Sequence, residues 1–156
     1  MKLSSAVVIL SLVAMLCYAK DKTCASPEPI KDSKFRPGQV WIYKNRVGEE
    51  KSFLTILTVE SLPQLGTIVH IRVDKIRLWN CTGGPEPDNF QHMPFTREAI
   101  ERSVTKLQKE SSDIPDHQAG YDEWRGACGG VYTITVAEAV SAGEATFRKG
   151  LGCESK

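Results

Sequence analysis

Three histidines are the side chains best suited to move protons at neutral pH, because the imidazole group titrates in that range. His70 stands close to Arg72 and Asp74 in a run of alternating apolar and polar residues. This triplet would suit anion binding or proton transfer, yet the polar positions of such a run also form the solvated face of a half-buried strand. We therefore expect His70 to lie on a solvated sheet face.

His92 and His117 each stand where a predicted helix begins. A carboxylate near His92, with Glu86 or Asp88 as candidates, would make His92 the general base of a small hydrolase or lyase. The simpler interpretation is that His92 hydrogen-bonds the backbone at the helix start. His117 has acidic neighbours that would suit a cation, but a solvated charged turn explains them equally well.

Motifs that bring a nucleophile or a cofactor are missing from the sequence. It contains no G-x-S-x-G, no S-x-x-K with its partners, no P-loop and no G-x-G-x-x-G. The cysteines lack the C-x-x-C spacing of a zinc site. We accordingly expect no metal and no cofactor, and no catalytic candidates beyond His92, Glu86 and Asp88.

Aromatic side chains offer an alternative to catalysis, because exposed aromatic residues often anchor a binding partner. Trp41 and Tyr43 share one face of the first predicted strand, and Trp79 and Phe90 flank the central loop together with His92. These five residues would form a binding surface. The other interpretation is that the aromatic residues fill the core between the sheet and the helices.

Residues 1–19 have the layout of a secretory signal peptide. Lys2 supplies a positive charge, residues 6–16 form an apolar run too short to cross a bilayer, and small residues precede the expected cleavage after Ala19. A lipoprotein signal fits less well, because a leucine precedes the first cysteine. We expect an exported protein, periplasmic or extracellular, with no stable membrane span after cleavage.

Composition and charge limit the class of protein and of partner. The chain has 156 residues, 41% of them hydrophobic and 25% charged, which is enough for one ordinary core. Its formal net charge is +1, whereas a general nucleic-acid binder carries a strongly basic surface. We expect no nucleic-acid partner, and a protein or a component of the cell envelope instead.

The cysteines predict disulfides. Of the five cysteines, Cys17 would leave with the signal peptide, and an even number in an exported protein indicates two bonds with three possible pairings. We favour Cys24–Cys153, which would join the two ends of the chain. Cys81–Cys128 would then join two glycine-flanked loops.

The exported chain divides into an arm, a domain and a tail. Residues 20–36 are polar and contain prolines, which predicts an exposed N-terminal arm. Residues 37–149 form a single α+β domain, and residues 150–156 form a C-terminal tail. No internal repeat is present.

The domain begins with strands. Residues 51–60 are rich in β-branched side chains, and residues 67–74 alternate strictly, which is typical of an antiparallel strand with one buried face. With residues 40–43 before them, and a continuation after a bulge near Lys75, they predict an antiparallel β-meander of three to four strands.

Helix signals follow the meander. Thr96 is a predicted N-cap for a helix whose apolar face contains Ile100, Val104 and Leu107. A second, short helix is predicted between Asp116 and Gly126. A capping box at Thr135 and Glu138 predicts a last helix that ends near Arg148. The run at residues 131–136 predicts one further strand before it. Two or three helices and one strand after the meander make an α+β fold.

The domain also contains a series of short motifs that are familiar as a set. They are PGQVW at 37–41, Tyr43, Arg46, LTIL at 54–57, IVHI at 68–71, HMPF at 92–95, SVTKL at 103–107, Gly120, Tyr121, Trp124 and VYTITVAEAV at 131–140. Together they resemble a group of small bacterial proteins that has no assigned activity. The resemblance covers about residues 35–140, implies no function, and does not include the cysteines.

We therefore expect an exported, non-catalytic domain that binds a partner through the face of Trp41 and Tyr43 and the loop of residues 80–95. The first alternative is the small hydrolase or lyase that uses His92. The second alternative is a small-ligand carrier whose curved sheet and helices enclose a cavity.

Overall fold

The fold is α+β, as predicted, and combines a six-stranded antiparallel sheet with three helices within residues 24–153, the part that the computed structural model describes. The predicted signal peptide lies outside the described residues. The strands are β1 (Glu28–Pro29), β2 (Gln39–Tyr43), β3 (Phe53–Leu62), β4 (Gly66–Asp74), β5 (Asn89–Thr96) and β6 (Val104–Glu110). The helices are α1 (Arg97–Ser103), α2 (Gln118–Gly126) and α3 (Val136–Gly150).

The sheet has the order β5-β4-β3-β2-β6, and β1 pairs with β3 beside this path. A tight turn joins β3 to β4, and their pairing runs from Leu62 opposite Gly66 to Phe53 opposite Asp74. Gly66 has a φ of +69°, a conformation that glycine adopts without strain. This long hairpin is the centre of the sheet, so its two faces decide where the core and the polar groups lie.

Helices α1 and α3 cover one face of the sheet and form the main core. Val69, Ile71 and Val73 alternate along β4 and are fully buried, as their period of two predicts. They pack in one cluster with Ile100 of α1 and Val140 of α3.

The capping signals in the sequence mark real helix starts. Thr96 accepts a hydrogen bond from the backbone N–H of Ala99 and begins α1. The predicted capping box begins α3, because the Thr135 side chain accepts from the Glu138 backbone and Glu138 accepts from the Thr135 backbone. The short helix α2 also lies where it was expected.

The predicted extent of the first helix is wrong. Helix α1 ends at Ser103, and Val104 begins strand β6, which pairs with β2. Leu107, expected on a buried helix face, is 37% exposed. The β-branched residues at 104 and 105 fit a strand. The free edge of β2 supplies backbone hydrogen-bond partners for this strand, which a continued helix would leave unpaired.

The strand expected at residues 131–136 is also wrong. Only Tyr132 forms a β-bridge, with Phe95, and Val136 already belongs to α3. The capping box at Thr135 explains the difference, because it starts the helix where the β-branched run would have continued as a strand.

Part of the predicted exposed arm is integrated into the domain. Strand β1 pairs with β3, and Phe35 is fully buried, with its ring centre 5.7 Å from that of Trp41. Asp32 forms an ion pair with Arg97 of α1 at 2.7 Å. The polar composition of the segment reflects its outer side, and no local pattern in residues 20–36 indicated that Phe35 points inward.

The cysteines pair differently from the prediction. The bonds are Cys24–Cys128 and Cys81–Cys153. Because β1 runs along β3, it brings the start of the described chain to the end of α2, where Cys128 lies. Helix α3 ends near Trp79, whose ring is 4.5 Å from the Arg148 guanidinium, and so delivers Cys153 to the loop of Cys81.

Proteolytic mapping without reductant should recover peptides that link Cys24 to Cys128 and Cys81 to Cys153. Replacing both Cys24 and Cys128 by serine should lower the free energy of unfolding by about 4–5 kcal/mol, because this bond joins residues 104 positions apart. Urea denaturation measures the change. Recovery of a peptide linking Cys24 to Cys153 would contradict the pairing.

Candidate functional site

The three histidines meet on the second face of the sheet, opposite α1 and α3. His70 of β4 is fully buried, so the prediction of a solvated position is wrong. Helix α2 lies over this part of the face, and Trp124 packs edge-on to His70 with ring centres 4.7 Å apart. Among the polar positions of β4, His70 is therefore buried beneath α2, whereas Arg72 and Asp74 keep part of their surface exposed.

A continuous chain of hydrogen bonds connects Glu60, His70 and His92. Glu60 Oε1 lies 2.9 Å from His70 Nε2, and His70 Nδ1 lies 2.8 Å from His92 Nε2. Tyr121 of α2 donates its hydroxyl to Glu60 Oε2 at 2.8 Å. Neighbouring strands position the three groups, because β3, β4 and β5 each contribute one of them. We call Glu60, His70 and His92 the proton chain.

Helix α2 closes the proton chain from above. Gly120 passes so near to His92 that a Cβ at position 120 would lie 2.8 Å from the His92 Cβ. Trp124 is anchored by a hydrogen bond from its indole N–H to the Gly130 carbonyl at 2.9 Å. The Cys24–Cys128 bond fixes the chain just beyond α2. A close-fitting, anchored helix therefore keeps Glu60 and His70 away from solvent.

Burial and charge set the protonation of the site. Burial, together with repulsion from His70 and His117, lowers the pKa of His92 to about 4. Burial alone would raise the pKa of Glu60, but hydrogen bonds from His70 and Tyr121 outweigh it and leave that pKa below its ordinary value. Burial and the bond to Glu60 raise the pKa of Tyr121 to about 12. At neutral pH the site therefore holds an ionised Glu60, a neutral His92 and a neutral Tyr121.

The ionised carboxylate fixes the direction of the chain. Glu60 can only accept hydrogen bonds, so the proton of its contact with His70 is on Nε2. When His70 is neutral, its Nδ1 accepts, and the shared proton is on Nε2 of His92. The Nδ1 atom of His92 is then an unprotonated acceptor, and it forms no hydrogen bond with any other described residue.

His117 adjoins the proton chain without belonging to it. Its ring is nearly parallel to that of His92, at 11°, with centres 6.4 Å apart. Its Nδ1–H donates to the Pro115 carbonyl at 2.9 Å, which holds the ring at the start of α2.

The carboxylates proposed from the sequence are not the partners of the histidines. Glu86 pairs with Arg77 at 3.7 Å, and the Asp88 backbone carbonyl accepts from Ile76. The carboxylate in contact is Glu60, which the sequence analysis missed. Its only signal in the sequence was an acidic residue within the β-branched strand 51–60. In the hairpin Glu60 pairs with Ile68, two residues from His70 on the neighbouring strand.

The expected aromatic surface does not form as one unit. Tyr43 is 2% exposed and shares a hydrogen bond with Ser52, so it is a core residue. Trp41 and Phe90 are partly buried against the main core. Trp79, at 37% exposure, lies at the surface beneath Arg148.

A groove of about 920 Å³ occupies the rest of the second face, beside the region covered by α2. Its floor comes from β2 and β3, with Ile42 and Phe53 partly exposed. The segment after β6 forms one wall and includes Pro115, which holds His117. The full lining is Val40, Ile42, Glu50, Lys51, Phe53, Thr55, Arg72, Asp74, Lys75, Gln108, Lys109, Ser111, Asp113 and Pro115.

Two other kinds of feature are absent from the described part of the chain. Among residues 24–153, no three histidine, cysteine or acidic side chains are grouped so that they could hold a metal ion. In the same range, no helix has the length and apolar character needed to cross a bilayer.

Comparisons with protein-family models, with curated proteins and with solved structures found no match to this chain.

The low pKa of His92 predicts a loss of stability in mild acid. Unfolded His92 gains a proton below pH 6.5, whereas the folded protein gains it only near pH 4, so the free energy of unfolding should fall as the pH drops through this range. Replacing His92 by asparagine should remove that part of the decrease. Urea denaturation at about pH 7 and about pH 5 measures both proteins.

The pH range above 5 separates His92 from Glu60, whose lowered pKa affects stability only below its ordinary value of 4.5. An identical loss of stability in the wild type and the His92→Asn variant would contradict the assignment.

Proposed function

We propose that the protein is an exported binding protein that takes an anionic amphiphile of the cell envelope into the groove on the second sheet face. The observation that carries this proposal is the groove itself, whose volume of about 920 Å³ is within the range of ligand sites and whose floor is apolar. The proposal combines the expected binding role with the ligand-carrier alternative.

The floor supplies the apolar contact. Ile42 and Phe53 are on neighbouring strands and keep part of their surface exposed within the groove. Covering apolar side chains with a hydrocarbon tail stabilises a complex by about 25 cal/mol for each Å² removed from water. A single alkyl chain along the floor would gain this energy.

The charges at one end favour an anionic head group. Lys51 and Lys75 flank the point where β3 begins and β4 ends, and neither forms an ion pair with a residue in the range 24–153. Asp74 is already neutralised by Arg72 at 2.8 Å. Glu50 accepts from the Gly48 backbone in its own turn. The lysines are therefore available to an anion.

The backbone at Lys75 supports the same end of the groove. Lys75 has a φ of +61°, which is uncommon for a residue with a side chain. Such strain is concentrated at functional positions, because the surrounding structure must impose it. Here the backbone conformation of Lys75 sets the direction in which its side chain leaves the end of β4.

Export is the second part of the proposal. Two disulfides are typical of an oxidising compartment and support the interpretation of residues 1–19 as a signal peptide. A cell-envelope amphiphile is a ligand that such a compartment supplies.

Intact mass analysis of the protein isolated from its natural compartment should give a chain that begins at Lys20, with four cysteines oxidised. Export with cleavage after Ala19 requires this mass. An intact amino terminus, or four thiols that alkylate without reductant, would contradict export.

Titration calorimetry with dodecanoate should show saturable binding of one molecule. Replacing both Lys51 and Lys75 by glutamate should weaken binding by about tenfold or more, because two attractive charges become repulsive. The matched control is Lys149→Glu on α3, which reverses an exposed charge outside the groove lining and should leave the affinity within about twofold.

A neutral amphiphile with the same alkyl chain, dodecyl maltoside, tests the head group. Dodecyl maltoside should bind the wild type more weakly than dodecanoate does. It should bind the lysine variant as tightly as it binds the wild type. Absence of saturable binding of dodecanoate, or equal binding by all three proteins, would reject the groove as the site.

A further inference from the structure

We propose that Glu60, His70 and His92 form a catalytic proton relay, with Nδ1 of His92 as the general base that hydrolyses a carboxylic ester. This activity goes beyond ligand binding and does not depend on the groove being occupied. The sequence predicted Glu86 or Asp88 as the carboxylate partner of His92, whereas the relay uses Glu60 through His70.

The geometry of the three groups suits proton transfer. Both contacts of the relay, at 2.9 Å and 2.8 Å, have the length of a good hydrogen bond between heavy atoms. The rings of His70 and His92 are inclined by only 20°. With ring centres 5.0 Å apart and nitrogens 2.8 Å apart, the two imidazoles meet edge to edge, so the proton lies near the line between their nitrogens.

Burial gives the relay its direction. Glu60 is 3% exposed and His70 is 0% exposed, so a positive charge on His70 is stabilised by the adjacent carboxylate and not by water. His92 is only half-buried, and its own pKa is low because a charge there is poorly solvated. A proton received by His92 therefore favours transfer of the inner proton to His70, where Glu60 compensates it.

The outer nitrogen of His92 is the reacting atom. Nδ1 points away from the relay and makes no hydrogen bond within residues 24–153. Gly120 lies against it, with an ideal Cβ at 3.5 Å from Nδ1, so any larger residue at position 120 would cover the base. Glycine at position 120 therefore lets α2 pack against His92 without placing a side chain over Nδ1.

The start of α2 adds donors beside the base. The backbone N–H groups of Ala119 and Gly120 are in the first turn, and neither donates to another described residue. Such groups stabilise the negative charge that develops on a carbonyl oxygen during attack. His92 and these donors are adjacent because Gly120 contacts the histidine.

The step is ordinary ester hydrolysis. Nδ1 of His92 takes a proton from water as the water oxygen bonds to the ester carbon, and the carbonyl electron pair moves to its oxygen. The Nε2 proton of His92 passes to Nδ1 of His70. When the intermediate collapses, the ester C–O bond breaks, the protons shift back, and the leaving oxygen receives a proton from His92. The products are a carboxylic acid and an alcohol.

The test uses p-nitrophenyl acetate with the full exported chain and follows release of p-nitrophenol. Replacing His92 by alanine should lower the rate by about 100-fold, the scale of general base catalysis. His117→Asn is the matched control, because it removes a neighbouring half-buried imidazole outside the relay. Loss of the repulsion from His117 leaves His92 unprotonated at neutral pH, so the rate there should stay within about twofold of the wild type. Equal rates for the wild type and His92→Ala would overturn the proposal, as would loss of activity only in His117→Asn.

Glu60→Gln tests the positioning role of the inner groups. It keeps the size of the side chain but removes the charge that stabilises His70, so the rate should fall by about tenfold or more. If Glu60 had a purely structural role, the variant would change in folding, and the pH dependence of the wild-type rate would have no explanation. In the wild type, the rate corrected for background should stay level near neutral pH and decline through about pH 4, where His92 is protonated.

Nitrogen-15 NMR of the unmodified protein gives a result that does not depend on a variant folding. The relay requires the Nε2–H tautomer of His92 at neutral pH, with Nδ1 unprotonated. Correlation spectra of the ring nitrogens distinguish the two tautomers directly. A proton on Nδ1 of His92 at neutral pH would overturn the proposal whatever the rates show.

Discussion

The burial of a carboxylate against an imidazole is the constraint on which the second sheet face depends. Glu60 and His70 are on adjacent strands, and the core offers them no water, so each must satisfy the other. Their contact at 2.9 Å satisfies one carboxylate oxygen of Glu60, and the Tyr121 hydroxyl donates a hydrogen bond to the other oxygen. Removing any of the three would leave a buried polar atom unpaired, which is why α2 and the sheet must be arranged together.

The two faces of the sheet are built on different principles. The first face is apolar and is covered by α1 and α3, whose contacts are non-directional and tolerate some variation in position. The second face combines directional hydrogen bonds beneath α2 with an open groove beside it. The Cys24–Cys128 bond is attached just beyond α2, so the covalent constraint is located where directional contacts need the most precise placement.

The groove and the proton chain are neighbours on one surface, joined by the segment that runs from β6 to α2. Pro115 lines the groove and accepts the hydrogen bond of His117, while Arg72 in the groove follows His70 by two positions on the same strand face. The groove and the proton chain therefore consist of separate groups of side chains on the same sheet face. Neither group uses the aromatic residues that the sequence suggested as a binding surface.

The sequence by itself determined the class of fold, the alternating buried strand at residues 67–74, and the starts of α1 and α3. These are local properties, because side-chain period and capping act within a few residues. The tertiary structure decided the fate of residues 104–110, which joined the free edge of β2, and the cysteine pairing, which depends on where β1 and α3 deliver their ends. It also decided the site. His70 occupies a position that alternation assigns to solvent, and only the packing of α2 over that face turns it into a buried group between Glu60 and His92. Proximity of residues 10 and 22 positions from His70 depends on strand register and helix placement, which no local pattern encodes.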